Sequence, residues 1–110
     1  MSISLSLTEL WEVELMSVVI LVEWHIQPDR IETVRELLQA TFAGTQQYEG
    51  CRRYEIYESQ ESIGNVFLLT EWDSKEDYAQ YIAWRKETGV LDQFGQTFAD
   101  PPSVRYLQAI

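Results

Sequence analysis

Asn65-Val66-Phe67-Leu68-Leu69-Thr70-Glu71-Trp72, followed at once by Asp73-Ser74-Lys75-Glu76-Asp77-Tyr78, decides how this chain folds. The first eight residues are an apolar run with alternating character, the pattern of a buried strand. It ends on a Trp. Ser74 then opens a helix, and Asp77 three residues on comes close to a capping box. A large aromatic at such a strand-to-helix corner fills the core or walls a ligand crevice, and both readings suit Trp72.

Working outward, Ser17 to Gln27 reads as another strand. Val18, Ile20, Val22, Trp24 and Ile26 fall on one face; Val19, Leu21, Glu23, His25 and Gln27 fall on the other. Pro28-Asp29 starts a helix running to about Tyr48, with Ile31, Val34, Leu37, Leu38, Thr41 and Phe42 as its apolar stripe. Gly50 ends it. Cys51 to Glu58 is a strand, Ser59 to Gly64 a polar turn. After Trp72 comes a second helix carrying Tyr78, Tyr81, Ile82, Trp84 and Arg85, broken at Thr88-Gly89. Val90 to Phe98 gives a short third helix. Pro101-Pro102 forces an extended turn, and Val104 to Ile110 is the last strand. The order β-α-β-β-α-α-β predicts an α+β, ferredoxin-like antiparallel sheet with its helices on one face.

The chain has 110 residues, so one domain is expected. Met16 reads as a second start: residues 1–15 form an N-terminal extension and residues 16–110 the domain. The formal net charge of −10 argues against nucleic acid or an anionic membrane as partner, because both require a basic footprint. No apolar run approaches the ~20 residues of a membrane span. Cys51 is the single cysteine, consistent with a reducing, cytoplasmic setting. His25, Cys51 and the carboxylates show no metal-ligand spacing, and the glycines form no phosphate loop. No metal and no cofactor are expected.

The sheet's second face is too apolar for water. It carries Val19, Leu21, Tyr57, Phe67 and Leu69, mixed with Glu23, His25, Arg53, Glu55 and Glu71. That mixture predicts a two-fold homodimer packed sheet on sheet.

The opening strand into Pro28-Asp29, the segment Glu49-Gly50-Cys51-Arg52-Arg53-Tyr54-Glu55-Ile56-Tyr57, Thr70-Glu71-Trp72-Asp73-Ser74 and the Pro101-Pro102 turn together resemble the antibiotic biosynthesis monooxygenase domain family. The resemblance runs from about Ser17 to Ile110. It implies a dimeric α+β barrel and cofactor-independent oxygenation of a quinol- or phenol-like aromatic small molecule. On that resemblance, Trp72, Arg85 and Tyr54 are the candidate catalytic residues, and Trp24, Val22 and Tyr81 contact substrate. Trp24 and Trp72 would wall the cavity, Tyr54 and Tyr81 would supply hydroxyls, and Arg85 a cationic fork. A haem-degrading branch of the same superfamily uses an Asn in the first strand and a helical His. Here Val22 stands near the Asn position and neither later helix holds a His, so the resemblance carries no haem site.

Each candidate has a plainer reading. Arg85 reads as a helix-end residue in a surface salt bridge, Tyr78 and Tyr81 as core, Cys51 as an inert thiol. His25 and Glu71 read as dimer contacts. Three functions stand: an oxygenase, a non-catalytic small-molecule binder, and a structural dimer with a closed interior. An open cavity with converging polar groups favours the first, an all-apolar cavity the second, and no cavity the third.

Overall fold

Alternation sets the sheet. In the computed structural model, which describes residues 17–110, β1 (Val18–His25), β2 (Cys51–Glu58), β3 (Asn65–Trp72) and β4 (Ser103–Leu107) form one sheet. The strand order is β2-β3-β1-β4 and every pairing is antiparallel. β1 and β3 pair along their whole length, from Val18 opposite Trp72 to His25 opposite Asn65. That register puts Val18, Ile20, Trp24, Val66, Leu68 and Trp72 on one buried face. The expected extension, residues 1–15, lies outside the described residues.

The helices cover that face. Pro28 fixes φ and opens a 3-10 turn over Pro28–Arg30 before α1 (Ile31–Gln46) begins. The expected single helix from Pro28 to Tyr48 is therefore shorter at both ends. Val34, Leu38 and Thr45 are its buried residues. α2 (Lys75–Glu87) starts at Ser74, whose hydroxyl accepts from the Asp77 amide at 3.2 Å. α3 (Val90–Gly95) follows the left-handed Gly89, φ 84°. The chain then bridges back to β1, with the Ala99 amide donating to the His25 carbonyl at 2.7 Å.

Gly50 holds the corner where β2 meets the start of α2. Its φ is +92°, and a Cβ there would stand 2.7 Å from Cβ and Cγ of Asp77. The Asp73 amide donates to the Gly50 carbonyl at 2.9 Å. Packing therefore fixes α2 against the end of β3, and α2 carries much of the site described below.

The second face of the sheet is partly exposed, as the alternation requires. Leu21, Phe67 and Leu69 are half-buried and Tyr57 is exposed. The charges on this face pair among themselves: His25 Nε2 lies 3.0 Å from Glu23 Oε2, and Arg53 Nε lies 3.7 Å from Glu71 Oε1.

Candidate functional site

Between the sheet and its helices the side chains leave a cavity of about 440 Å³. This is within the range of small-molecule sites. β1 supplies Val22 and Trp24 to it, β2 Tyr54, and β3 Leu68 and Thr70. α1 contributes Leu38, Thr41 and Thr45 from its inward stripe; α2 contributes Tyr78, Tyr81, Ile82 and Arg85. Val90, Leu91, Phe94 and Phe98 close the far side, and Pro102, Val104 and Tyr106 of the β4 region form an exposed rim. Most of the lining is apolar. The polar groups gather where α1 faces α2.

Arg85 is the centre of that polar group. The residue is only 6 % exposed. Its Nη2 donates to the Thr41 carbonyl at 2.7 Å and to Thr45 Oγ1 at 3.1 Å, and its Nε donates to the Tyr81 hydroxyl at 3.2 Å. Thr45 Oγ1 and the Tyr81 hydroxyl share a short hydrogen bond of their own. The guanidinium also lies over the Trp84 ring, 4.4 Å from its centre. Among the described residues no carboxylate pairs with it, and Nη1 has no hydrogen-bond acceptor. The expected surface salt bridge is thus replaced by a buried cation in the cavity wall. The spacing Tyr78, Tyr81, Ile82, Arg85 places it on the inward stripe of α2, and that periodicity overrides its charge.

Tyr54 is buried, lines the cavity and stacks on Phe42 with ring centres 4.9 Å apart. Burial pushes its hydroxyl well above the ordinary tyrosine range; the nearby Tyr81 adds to the shift and Arg85 opposes it. Tyr78 is pushed up in the same way, first by burial and then by Tyr106 and Tyr81. Both hydroxyls therefore stay protonated at neutral pH and can donate to a ligand in the cavity. Trp24 forms part of the floor, 4.7 Å from Phe94 and 5.2 Å from Phe98 between ring centres.

Trp72 is placed differently from the expectation. It is fully buried and lies behind the lining, not in it. Its ring packs 5.0 Å from Tyr81 and 5.8 Å from Tyr78. As the last residue of β3 it sits beyond Thr70, whose own side chain takes the cavity position. Trp72 thus backs the two tyrosines and does not touch the space. Its Nε1 is buried with no acceptor among the described residues, an arrangement that costs about 1–3 kcal/mol.

Val22, Trp24, Tyr54, Tyr81 and Arg85 of the six predicted site residues line one space. Thr41, Thr45, Thr70 and Tyr78 also line it and were not singled out for it. The signal for Thr45 was its position four residues after Thr41 on the α1 stripe. His25 faces away, on the opposite side of the sheet. Among the described residues no cluster of three or more His, Cys, Asp or Glu side chains has the arrangement of a metal site.

The family described as antibiotic biosynthesis monooxygenase matches residues 17–97. None of the curated proteins matches. Several solved structures share the fold. A conserved protein from Methanosarcina mazei Go1 superposes with a TM-score of 0.80 at 14 % identity, over 89 % of this chain and 97 % of that one. Rv0793 from Mycobacterium tuberculosis gives 0.71 at 25 % identity, over 86 % and 95 %. A protein described as an antibiotic biosynthesis monooxygenase gives 0.78 at 18 % identity, over 84 % and 98 %.

Proposed function

Because the chain belongs to the antibiotic biosynthesis monooxygenase family, we propose that it is a cofactor-independent monooxygenase acting on a quinol- or phenol-like aromatic small molecule. The observation that carries this reading is an apolar cavity with one buried cation, Arg85, in its wall. Such a space takes a flat apolar body and one negatively charged oxygen.

The chemistry balances without a further reductant. A phenol takes one atom of dioxygen into a new quinone carbonyl, and the other atom leaves as water. The substrate supplies all four electrons. Arg85 Nη1 would hold the phenolate oxygen and steady negative charge as it moves onto dioxygen. The Tyr54 hydroxyl would donate to an oxyanion, and Tyr81, tied to Thr45 and Arg85, would keep the guanidinium aimed. Trp24 and Val22 would wall the ring. Trp72 would act only by holding Tyr78 and Tyr81 in place.

A binder without turnover is the alternative, and one observation favours it: among the described lining residues there is no carboxylate and no His to act as a base. The cavity between sheet and helices counts against the structural-dimer reading, which expects a closed interior. The half-exposed apolar sheet face supports a homodimer, which would bury more than ~1,000 Å² if specific. No helix among the described residues is long and apolar enough to cross a membrane. The lone cysteine supports placement in the cytoplasm.

The test is oxygen uptake by purified protein with a panel of quinols and polycyclic phenols, comparing wild type with Arg85→Gln. Uptake that needs both substrate and Arg85 supports the proposal. No uptake with any member of the panel moves the binder reading ahead.

A further inference from the structure

The cavity has a buried cation and lacks a proton acceptor. From that pairing we propose that it takes its ligand as a pre-formed monoanion: a flat, fused-ring phenol or enol acidic enough to be ionised in bulk water near neutral pH. This rests on the oxygenase reading for its substrate type and narrows it. Plain, weakly acidic quinols are poor ligands; acidic ones are selected.

The cation comes first. Arg85 is nine-tenths buried without a carboxylate partner among the described residues, and Nη1 makes no hydrogen bond. Nη1 is open to the cavity, so an anion seated there gains a charge-assisted hydrogen bond in largely apolar surroundings, and a neutral phenol gains a weaker one.

The proton comes second. The titratable groups that line the cavity with Arg85 are Tyr54 from β2, Tyr78 and Tyr81 from α2, and Tyr106 from β4, with Tyr48 packed behind Tyr81 and Trp84. α1 and β3 present threonines, and β1 and α3 present apolar side chains. Cys51 lies beyond Tyr54, and burial pushes its thiol up. A general base works when its own ionisation lies near the operating pH, and the shifts at Tyr54 and Tyr78 run the other way. The described lining offers no carboxylate and no His to take the ligand's proton, so that proton leaves in bulk water, before binding.

The charge count sets the rest. One cation in an apolar wall matches one negative charge, and a dianion would bring a second into the same low-dielectric space. The whole chain carries −10, so long-range forces oppose the approach of any anion. Selection is then made at short range by Arg85, and screening by salt should speed anion association.

The experiment measures equilibrium binding of 2-naphthol and of 2-naphthols carrying one or two nitro groups, which ionise at progressively lower pH. Quenching of tryptophan fluorescence in the full chain is followed from about pH 5 to about pH 8, the range in which unperturbed His is the one side chain to change charge. A His25→Gln control removes the single His, which lies on the opposite face. The expected result is a Kd that falls about tenfold per pH unit up to each probe's own ionisation and then levels. The break moves from probe to probe and is unchanged in His25→Gln. Arg85→Gln should weaken the ionised probes roughly 10- to 100-fold. Arg85→Lys, which keeps the charge, should retain the pH dependence even if Arg85→Gln does not fold. A break at one fixed pH for all probes overturns the proposal, as does neutral 2-naphthol binding as tightly as the ionised probes. The two readings separate cleanly. Probe-dependent breaks without oxygen uptake support monoanion selection and sink the oxygenase; uptake with ionisation-independent binding does the reverse.

Discussion

Gly44→Ala is a mutation outside the cavity lining that should damage the site while improving its helix. Gly44 lies in α1, where Ala is favoured over Gly by about 0.5–1 kcal/mol. Taken alone, that change stabilises. The new Cβ, however, would stand 2.9 Å from Arg85 Nη2, 3.6 Å from Arg85 Cζ and 3.5 Å from the Trp84 ring. Nη2 has to move, and it is the atom that donates to the Thr41 carbonyl and to Thr45 Oγ1. Losing one such charge-assisted bond costs about 1.5–3 kcal/mol. The loss exceeds the helix gain, leaving a net destabilisation of about 1.5 kcal/mol. For a domain of this size that lowers Tm by about 6 °C. The displaced guanidinium should also weaken binding of an ionised nitronaphthol roughly tenfold, about one charge-assisted bond. Calorimetric melting and the fluorescence titration read the two effects on one sample. A Tm that rises by several degrees with an unchanged Kd would refute the placement of Arg85 against α1.

Trp72→Ala should lower stability by about 3–5 kcal/mol, because the ring is fully buried. At a temperature where the variant is folded, its effect on ligand Kd should be smaller than that of Arg85→Gln; a larger effect would put Trp72 in the cavity. Tyr54 and Tyr78 have folded values raised above the ordinary value near 10, so the stability they carry is fully present below about pH 10 and is lost as pH rises through the folded values. In an alkaline titration, at least these two of the six tyrosines should ionise only with loss of the circular dichroism signal; tyrosinate absorbance that completes while the protein is folded contradicts this. Removing residues 1–15 should leave cooperative unfolding intact, and its loss would make the extension part of the domain. Light scattering at micromolar concentration should report a dimer, and a folded monomer would contradict the sheet-to-sheet interface.

Much of the fold was legible because the sheet obeys a period of two. β2 and β3 fall where the alternation and the polar turn between them placed them, and Ser74 caps α2 as its spacing from Asp77 indicates. The ends of α1 were less legible: Pro28 permits a 3-10 turn as readily as an α-helix start, and the sequence does not distinguish them. The site was half legible. Val22, Trp24 and Tyr54 follow from strand alternation. Arg85 had two readings, a cationic fork in the cavity and a surface salt bridge; its position seven residues after Tyr78 and four after Tyr81 puts it on the inward side, where the structure has it. Trp72 was misread as part of the lining. Alternation gives the face of a strand, but whether a residue lines a space or backs it depends on what the facing helix places above it. Here Tyr78 and Tyr81 take the lining. The cavity itself is a difference between side-chain volume and the gap between layers, which no pattern in the sequence encodes.

The measurement that bears most directly on the account is a single turnover under ¹⁸O₂, with metal-depleted protein in excess over an acidic polycyclic phenol, quenched quickly and read by mass spectrometry. The account predicts one ¹⁸O atom in the quinone product, the other in water, and loss of the reaction in Arg85→Gln. Unlabelled quinone, or labelled quinone formed equally well by Arg85→Gln, would contradict it.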